Sequence, residues 1–502
     1  MTESSPKDAA AVILLRQPTD PNDPEVFWVR RHEKLSFLGG FHAFPGGKMD
    51  PPDTEVTVAN CHDAETAAAI SCAARELFEE VGVLLARGVE TLTKGQRASV
   101  LDDLESGRMT WPALLLHYAL YLDADDFTFV GRWVTPPFSA KRFDTWFFLA
   151  HCPQKQEPSV TTDGELESGE WISARAAYAR WQRSEVLAVP PVLHALQTLS
   201  AGLTGDLVSR FLATPNAHRE PTRRIEFRPN YICFPVRTPT RPPATHTNCY
   251  LIYTSSEILI LDPGSPYEEE QQALADCVSD LRAEDRSVNG IVLTHLHPDH
   301  VRGVNALRDY LGGNIEVTAH PKTVEAISDI PGIQPIIDED RVMLDGEPPI
   351  EFLVLHTPGH ARGHICLYEE RTGTLISGDN VLGLGSVLID PPQGNMREYL
   401  QSLHRMRSLP NLSVIFPGHG PAIANPYAKI DEYIAHRLDR EAKILTAVRG
   451  GAEEPSQIVT LVYTDVSPKL HGMAQRAVIA HLDKLETDGR VRRSLKGNYT
   501  PA

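Results

Sequence analysis

Three patterns of apolar and polar residues succeed one another along the chain. From residue 9 to about 200, short β-type runs (Val12 to Leu15, Phe27 to Arg30, Trp146 to Ala150) surround an Ala-rich stretch, Ala64 to Leu85, that reads as a helix. An apolar run from Tyr250 to Asp262, broken by TSSE, predicts a hairpin, and strand-then-turn units recur through His419. The last pattern begins with DEYIAHRLDREAKILTAV, where Tyr433, Ile434, Leu438 and Leu445 fall at roughly helical spacing. Ser456 to Tyr463 and Met473 to Leu485 continue as helices, and GRVRRSLKGNY then predicts a turn and a two-stranded wing. Helices closed by a basic hairpin suggest a winged helix. Between His218 and Pro243 lies a stretch rich in Arg and Pro, with RRIEFRP and RTPTRPP, whose prolines interrupt any helix or central strand. The expected division is therefore 1–205, a linker at 206–227, 228–428 and 429–502.

Length and composition agree with that division. A chain of 502 residues is too long for one core and suggests about three units. Its 42% hydrophobic and 23% charged residues are ordinary for a globular protein. The net charge of −18 works against the broad basic surface that nonspecific nucleic-acid binding requires. Seven widely spaced cysteines, none in a C-x-x-C pair, indicate neither a disulfide framework nor a thiolate zinc cluster, which fits a reducing cytoplasm. The apolar run Ala9 to Leu15 is too short for a signal peptide, and no run approaches the roughly 18 to 20 apolar residues of a membrane span. A cytoplasmic protein with small-molecule substrates and no membrane partner is expected; its oligomeric state is left open.

The run IVLTHLHPDH is apolar up to Leu293 and then abruptly rich in His and Asp. This places His295, His297, Asp299 and His300 in a loop just beyond a buried strand, where sites sit on open α/β sheets. Imidazole and carboxylate together suit zinc, and also iron or manganese. Four such groups within six residues cannot all bind one tetrahedral ion without strain, so two adjacent ions are the natural reading. Further donors follow at other strand ends: His360 in HTPGHARGH, Asp379 in LISGDN and His419 in FPGHGP. Here the sequence resembles the metallo-β-lactamase superfamily, over about residues 228 to 428. The resemblance implies an αββα sandwich and a hydrolase using hydroxide activated by two Zn (or Fe or Mn) ions. It implies one ion on His295, His297 and His360, a second on Asp299, His300 and His419, and Asp379 as bridging carboxylate. Asp299 also counts among the catalytic residues. Asp262, in LILDPG, matches the family's early strand-end Asp and would orient a ligand His. Thr247 and Asn248 are expected on a loop near the metals, and His364 in a bracing or substrate-contacting place.

A second cluster lies near the N-terminus. The run AARELFEEVGVLL puts Arg75, Glu76, Glu79 and Glu80 on one helix, with Glu76 sharing a face with Glu79 and Glu80. Like charges this close are destabilising unless a cation neutralises them, and hard carboxylates suit magnesium or manganese. The segment resembles a Nudix box, G-x5-E-x7-R-E-U-x-E-E-x-G-U with U apolar, whose second half matches from Arg75 through Val83 and whose start is supplied by Gly46 and Gly47 in FPGGKMD. Gly47 to Arg75 spans 28 positions against 14 in the simple box, so 14 residues are inserted. Ala67 stands where the simple box has Glu, with Asp53 or Glu55 as candidate substitutes. The long-box branch, which includes coenzyme A diphosphatases, carries such insertions, and KRFDTWFFLA is similar to it. The resemblance implies an α/β/α sandwich holding Mg or Mn on Glu79, Glu80 and Glu76, with Glu76 as possible base, Arg75 orienting the carboxylates, and Glu167 or Glu170 as a further loop ligand. A solvated acidic face, or a Nudix domain without activity, are the plainer alternatives.

Residues 429 to 502 resemble the winged helix attached to a metallo-β-lactamase branch that includes endoribonucleases. Arg490, Arg492, Arg493 and Lys496 make the wing basic, which suits RNA phosphates, whereas the negative net charge and sparse aromatics favour a module packed over the cleft. The sequence thus points to an α/β and α+β multidomain hydrolase of a thioester, ester or phosphodiester, with a Nudix-type site for nucleoside-diphosphate-linked, coenzyme A-like substrates. The alternative is a single-strand endoribonuclease with a nucleotide-sensing Nudix domain.

Overall fold

A computed structural model describes residues 5–17, 20–35, 37–139, 141–160, 164–214, 222–464 and 466–502. The chain divides into two compact units, Met1–Ile232 and Cys233–Ala502.

In the first unit the apolar run KDAAAVILL has no polar face to expose, so Lys7–Leu15 becomes a central strand, parallel to Phe143–His151. The sheet runs His42–Ala43, Glu25–Arg31, Lys7–Leu15, Phe143–His151, Thr128–Val134, with Gly46–Lys48 also paired to Lys7–Leu15 and Leu166–Ser173 to Glu25–Arg31. Alternation along the strands sorts the core into two layers. Ala10, Val12, Leu14, Phe148 and Ala150 pack with the helix Ala64–Val81. Ala11, Ile13, Leu15, Phe147 and Leu149 pack with Ala174–Gln182 and Pro190–Ser200 on the other face. An α/β/α arrangement results. The helix Ala64–Val81 begins where the Asp63 carboxylate accepts from the Thr66 N–H. It stops short of the expected Leu85 because Gly82 turns left-handed at φ 69° and bonds back to the Phe78 carbonyl.

The Arg- and Pro-rich stretch is more regular than the sequence suggests. The expected linker 206–227 contains the helix Leu207–Leu212 and the start of the strand Ile225–Arg228; residues 215–221 lie outside the described residues. Tyr231–Arg237 is a strand despite Pro235, since Tyr231, Ile232, Cys233, Phe234 and Val236 are all buried. Apolar burial outweighs one missing ladder donor here.

The second unit is built on two sheets. One runs Tyr231–Arg237, His246–Tyr253, Glu257–Leu261, Ser287–Leu293, Val317–Ala319, Ile333–Pro335, and is parallel from Glu257–Leu261 onward. The other runs Arg341–Leu344, Ile350–His356, Ile365–Glu369, Thr374–Gly378, Val414–Pro417. Helices Met396–Arg407 and Pro426–Arg449 cover the second sheet, through Tyr399, Leu403, Met406, Ile430 and Tyr433 against Leu355, Cys366, Leu375 and Ile415. The long helix continues into a small core with Pro455–Val462, His471–Thr487 and the hairpin Val491–Arg493 and Tyr499–Pro501, which is the expected winged helix. Among the described residues no helix is long and apolar enough to cross a membrane.

Candidate metal centre

Every histidine and aspartate of the seven-residue set stands at or just beyond the end of a strand of the second unit. Ser287–Leu293 delivers Thr294 to His300, Ile350–His356 leads to His360, Thr374–Gly378 to Asp379, and Val414–Pro417 to His419. Residues more than 100 positions apart are thereby gathered: one donor atom each from His295, His297, His360 and Asp379 lie within 4.8 Å of one another, and so do donors of Asp299, His300 and His419. A third such group, Asp262, His295 and His300, shares two of these histidines.

Asp379 faces both sets. Its Oδ1 lies 3.4 Å from Nε2 of both His300 and His419, while its Oδ2 lies 3.6 Å from His360 Nε2. His419 Nε2 is also 3.5 Å from Asp299 Oδ2.

The hydrogen bonds on the far sides of the rings fix which nitrogens remain free. Nδ1 of His300 donates to Asp262 Oδ2 at 2.8 Å, that of His360 to the Leu388 carbonyl at 2.9 Å, and that of His419 to the His246 carbonyl at 2.7 Å. Thr294 Oγ1 gives its proton to Asp262 and so accepts from His295 Nδ1 at 3.0 Å. Each of these four rings therefore turns its Nε2 inward. His295 Nε2 and His360 Nε2 each come within 2.9 Å of His297 Nδ1, which has at most one proton to share between them. His300 Nε2 and Asp379 Oδ1 are buried without a hydrogen-bond partner. Converging imidazole nitrogens and carboxylate oxygens, two of them buried without a partner, are what a divalent metal satisfies, and zinc or iron fits such a set. Gly418 keeps the space open: a Cβ there would sit 2.4 Å from Asp379 Oδ1.

Electrostatics follow the same division. Burial drives His295 well below the ordinary histidine range and takes His297 down to about 3, with the neighbouring imidazoles adding to the effect. For His300 burial acts the same way, but the Asp379 and Asp262 carboxylates outweigh it and raise it well above that range. The carboxylate of Asp379 is stabilised by His419 and His300 against its own burial.

Residues around the set are braces. Asp262, itself at φ 51°, accepts from the Thr294 N–H at 2.8 Å and its hydroxyl at 2.6 Å besides His300. Asp262→Asn should keep the backbone, since Asn tolerates the left-handed region, yet weaken binding of a divalent ion about 10- to 100-fold; equilibrium titration with zinc checks this. His364 is fully buried; its Nε2 accepts from the Asp379 N–H at 3.1 Å, leaving Nδ1 to donate to Thr357 Oγ1. It thus braces the Asp379 backbone. Thr247 and Asn248 lie in the strand His246–Tyr253, not on a loop: Thr247 bonds Thr238, and Asn248 donates to the Pro417 and Gly420 carbonyls, framing His419. Thr294 and Thr240, whose Oγ1 is 3.5 Å from His419 Nε2, have no sequence signal beyond nearness to the His-rich motifs.

The acidic helix of the first unit is differently built. Arg75 is buried and shared: Nε and Nη2 grip Asp53 at 2.9 and 2.8 Å, Nη2 also reaches the Lys48 carbonyl, and Nη1 reaches Glu76 and Glu79 at 2.8 and 2.7 Å. Asp53, fully buried and six positions after Gly47, is the carboxylate that pairs Arg75, whereas Glu55 is exposed. Glu80 accepts from the Gly46 N–H at 2.8 Å, and a Cβ on Gly47 would meet Glu76 Oε2 at 2.4 Å. Burial pushes Glu76 up to about 7 and Glu80 up to about 8. Among the described residues, Glu76, Glu79 and Glu80 do not form a group of donors within 4.8 Å. Glu167 and Glu170 stand in the strand Leu166–Ser173 rather than a loop, paired with Arg30 and Arg180.

Comparison with known proteins bears on the second unit. The family model of the metallo-beta-lactamase superfamily matches residues 242–419, and that of the beta-lactamase associated winged helix domain matches 455–497. The chain is similar to a beta-lactamase-like protein 2 homolog of Drosophila melanogaster, 33% identical over 49% of this chain and 84% of that protein. It is also similar to an atrochrysone carboxyl ACP thioesterase of Aspergillus fumigatus, 30% identical over 40% of this chain and 60% of that one. A solved beta-lactamase domain protein from Burkholderia ambifaria covers 57% of this chain and 96% of its own at 21% identity and a TM-score of 0.50, a likeness of fold. The converging donors, the two-sheet scaffold and these relatives agree, and the chain belongs to the metallo-β-lactamase superfamily.

Proposed function

We propose that the chain is a hydrolase whose central domain, about residues 228–428, cleaves a thioester, and whose N-terminal domain, residues 1–205, is a Nudix-type hydrolase of a nucleoside-diphosphate-linked substrate such as a coenzyme A derivative. The observation that carries the first half is Asp379, which turns one oxygen to His300 and His419 and the other to His360. In this reading His295, His297 and His360 would hold one zinc or iron ion and Asp299, His300 and His419 a second, with the Asp379 carboxylate facing both groups. Bound there, such ions would supply a water of lowered pKa and positive charge beside the scissile carbonyl. The chain's own residues fix the geometry: Asp262, Leu388 and His246 orient the imidazoles, and His364 holds the Asp379 backbone. Thr240 is placed to donate a hydrogen bond beside His419. The thioester, rather than another ester or a phosphodiester, is favoured by the relative named as a thioesterase.

Support for the second half is Arg75, which keeps Glu76 and Glu79 together while burial holds Glu76 near neutrality, where it can accept and release a proton. Glu76 would serve as base, and Glu79 and Glu80 would take magnesium or manganese once a cation draws them from Arg75 and the Gly46 N–H.

A panel of acyl-coenzyme A, ADP-ribose, lactoylglutathione and short RNA, run on the wild type, Asp299→Ala and Glu79→Gln, tests both halves. Thioester cleavage should vanish in Asp299→Ala and survive in Glu79→Gln, with the converse for diphosphate cleavage. Turnover of RNA with none of any coenzyme A compound would refute the proposal in favour of an endoribonuclease.

A further inference from the structure

The long helix Pro426–Arg449 reaches back to the metal centre. Tyr433 and Arg437 stand one turn apart on the same face. The Tyr433 hydroxyl meets the Leu382 N–H at 3.2 Å and its carbonyl at 3.4 Å. Arg437, buried to 5% exposure, donates from Nη2 to the Val387 carbonyl and lies with its guanidinium 5.4 Å from the centre of the Tyr399 ring. Farther along, Arg476 in the helix His471–Thr487 donates to the Asp390 carboxylate and the Pro391 carbonyl. All three grip a single loop, residues 382–391, just after Asp379.

That loop touches the donor set through two backbone atoms. The Gly383 N–H donates to the His419 carbonyl at 2.9 Å, and the Leu388 carbonyl accepts from His360 Nδ1 at 2.9 Å. Two of the grips fall beside these atoms, Tyr433 on Leu382 and Arg437 on Val387. The loop has neither helix nor strand, and it includes Gly383 and the left-handed Gly385. No ladder of its own fixes its course, so its position is set by what holds it from outside. For the buried Arg437 a guanidinium-to-carbonyl bond out of water is strong enough to do this, and Arg476 adds a weaker, exposed hold at the loop's far end.

We propose that Arg437 and Arg476 are positioning residues for His360: they hold the Leu388 carbonyl where it turns the imidazole inward, so the C-terminal helices build the metal centre rather than only roofing it. The inference rests on the reading of the seven residues as a two-metal site. Neither arginine needs to touch substrate or RNA.

The test is competitive zinc titration of the full-length protein against a chromogenic chelator, with cobalt absorption spectra as a second readout. Arg437→Met should weaken one of two zinc equivalents about 10- to 100-fold, the scale for removing an outer brace of a ligand, and leave the other unchanged. Arg437→Lys should recover part of the loss, keeping the charge without the fork. Arg476→Met should weaken the same equivalent by less and shift the same cobalt band. With its side chain 47% exposed, Arg476 can be replaced without threatening the fold, so this variant decides the matter if Arg437→Met does not fold. Wild-type zinc affinities and cobalt spectra in Arg476→Met and in any folded Arg437→Met would overturn the inference alone. A wild type that takes up fewer than two equivalents would overturn the two-metal reading, and the inference with it.

Discussion

Asp379→Ala should leave the protein folded, drop its divalent-metal content from two equivalents to one or none, and lower hydrolysis of the best panel substrate by ~10³-fold or more, the scale for losing charge stabilisation made in the transition state. The physical reason is that no neighbour can replace it. Its two oxygens lie between the histidines, and Gly418 leaves no side chain to fill the gap. Without the carboxylate, His300, His360 and His419 converge with no shared negative charge between the two donor groups, since Asp299 stands with only one of them. Its loss should not unfold the unit, because Asp379 lies outside the strands, and His300 and His419, whose charge this carboxylate favours, can stay neutral without it. Metal content by mass spectrometry and steady-state kinetics check the expectation. Two equivalents retained at wild-type affinity would show that Asp379 does not join the sites.

Arg75→Met should destabilise the first unit by ~3–5 kcal/mol, the scale for breaking a buried ion pair by removing one partner. Asp53 has no exposure at all and both its oxygens are bonded to Arg75. Glu76 and Glu79 would lose their common counter-charge at the same time. A readout specific to this unit exists, because all six tryptophans lie between Trp28 and Trp181. Tryptophan fluorescence should show a midpoint lower by about 10 °C, while zinc binding by the second unit stays unchanged. An unchanged fluorescence midpoint would mean that water reaches Asp53 and the pair is worth no more than a surface one.

The seven-residue set was the most legible part of the chain because metal chemistry constrains residue type. Few side chains can serve as donors, and strand ends announce themselves by an apolar run that stops. His295 to His300 could be read directly, and His360, Asp379 and His419 followed from apolar runs ending beside glycine. The helix Ala64–Val81 and the winged helix were legible for a similar reason, their periodicity being long enough to survive local exceptions.

What escaped reading depended on contacts made at long range. Asp53 and Glu55 were equal candidates in sequence, and only folding buried one against Arg75 and exposed the other. The bond from the Asp379 N–H to the His364 ring arises only once the course of Thr374–Gly378 brings the two together. Glu167 and Glu170 lay in a segment whose polar run hid a strand, because the pairing with Glu25–Arg31 supplies what its own side chains do not. Backbone carbonyls at Leu388 and His246 carry no residue-type signal whatever, since any residue offers one. The sequence by itself determined the donor chemistry, the acidic helix and the order of the parts, through residue types and periodicities that are local. Only the tertiary structure decided which carboxylate pairs Arg75, which way each imidazole turns and what braces it, because those depend on groups brought together from across the chain.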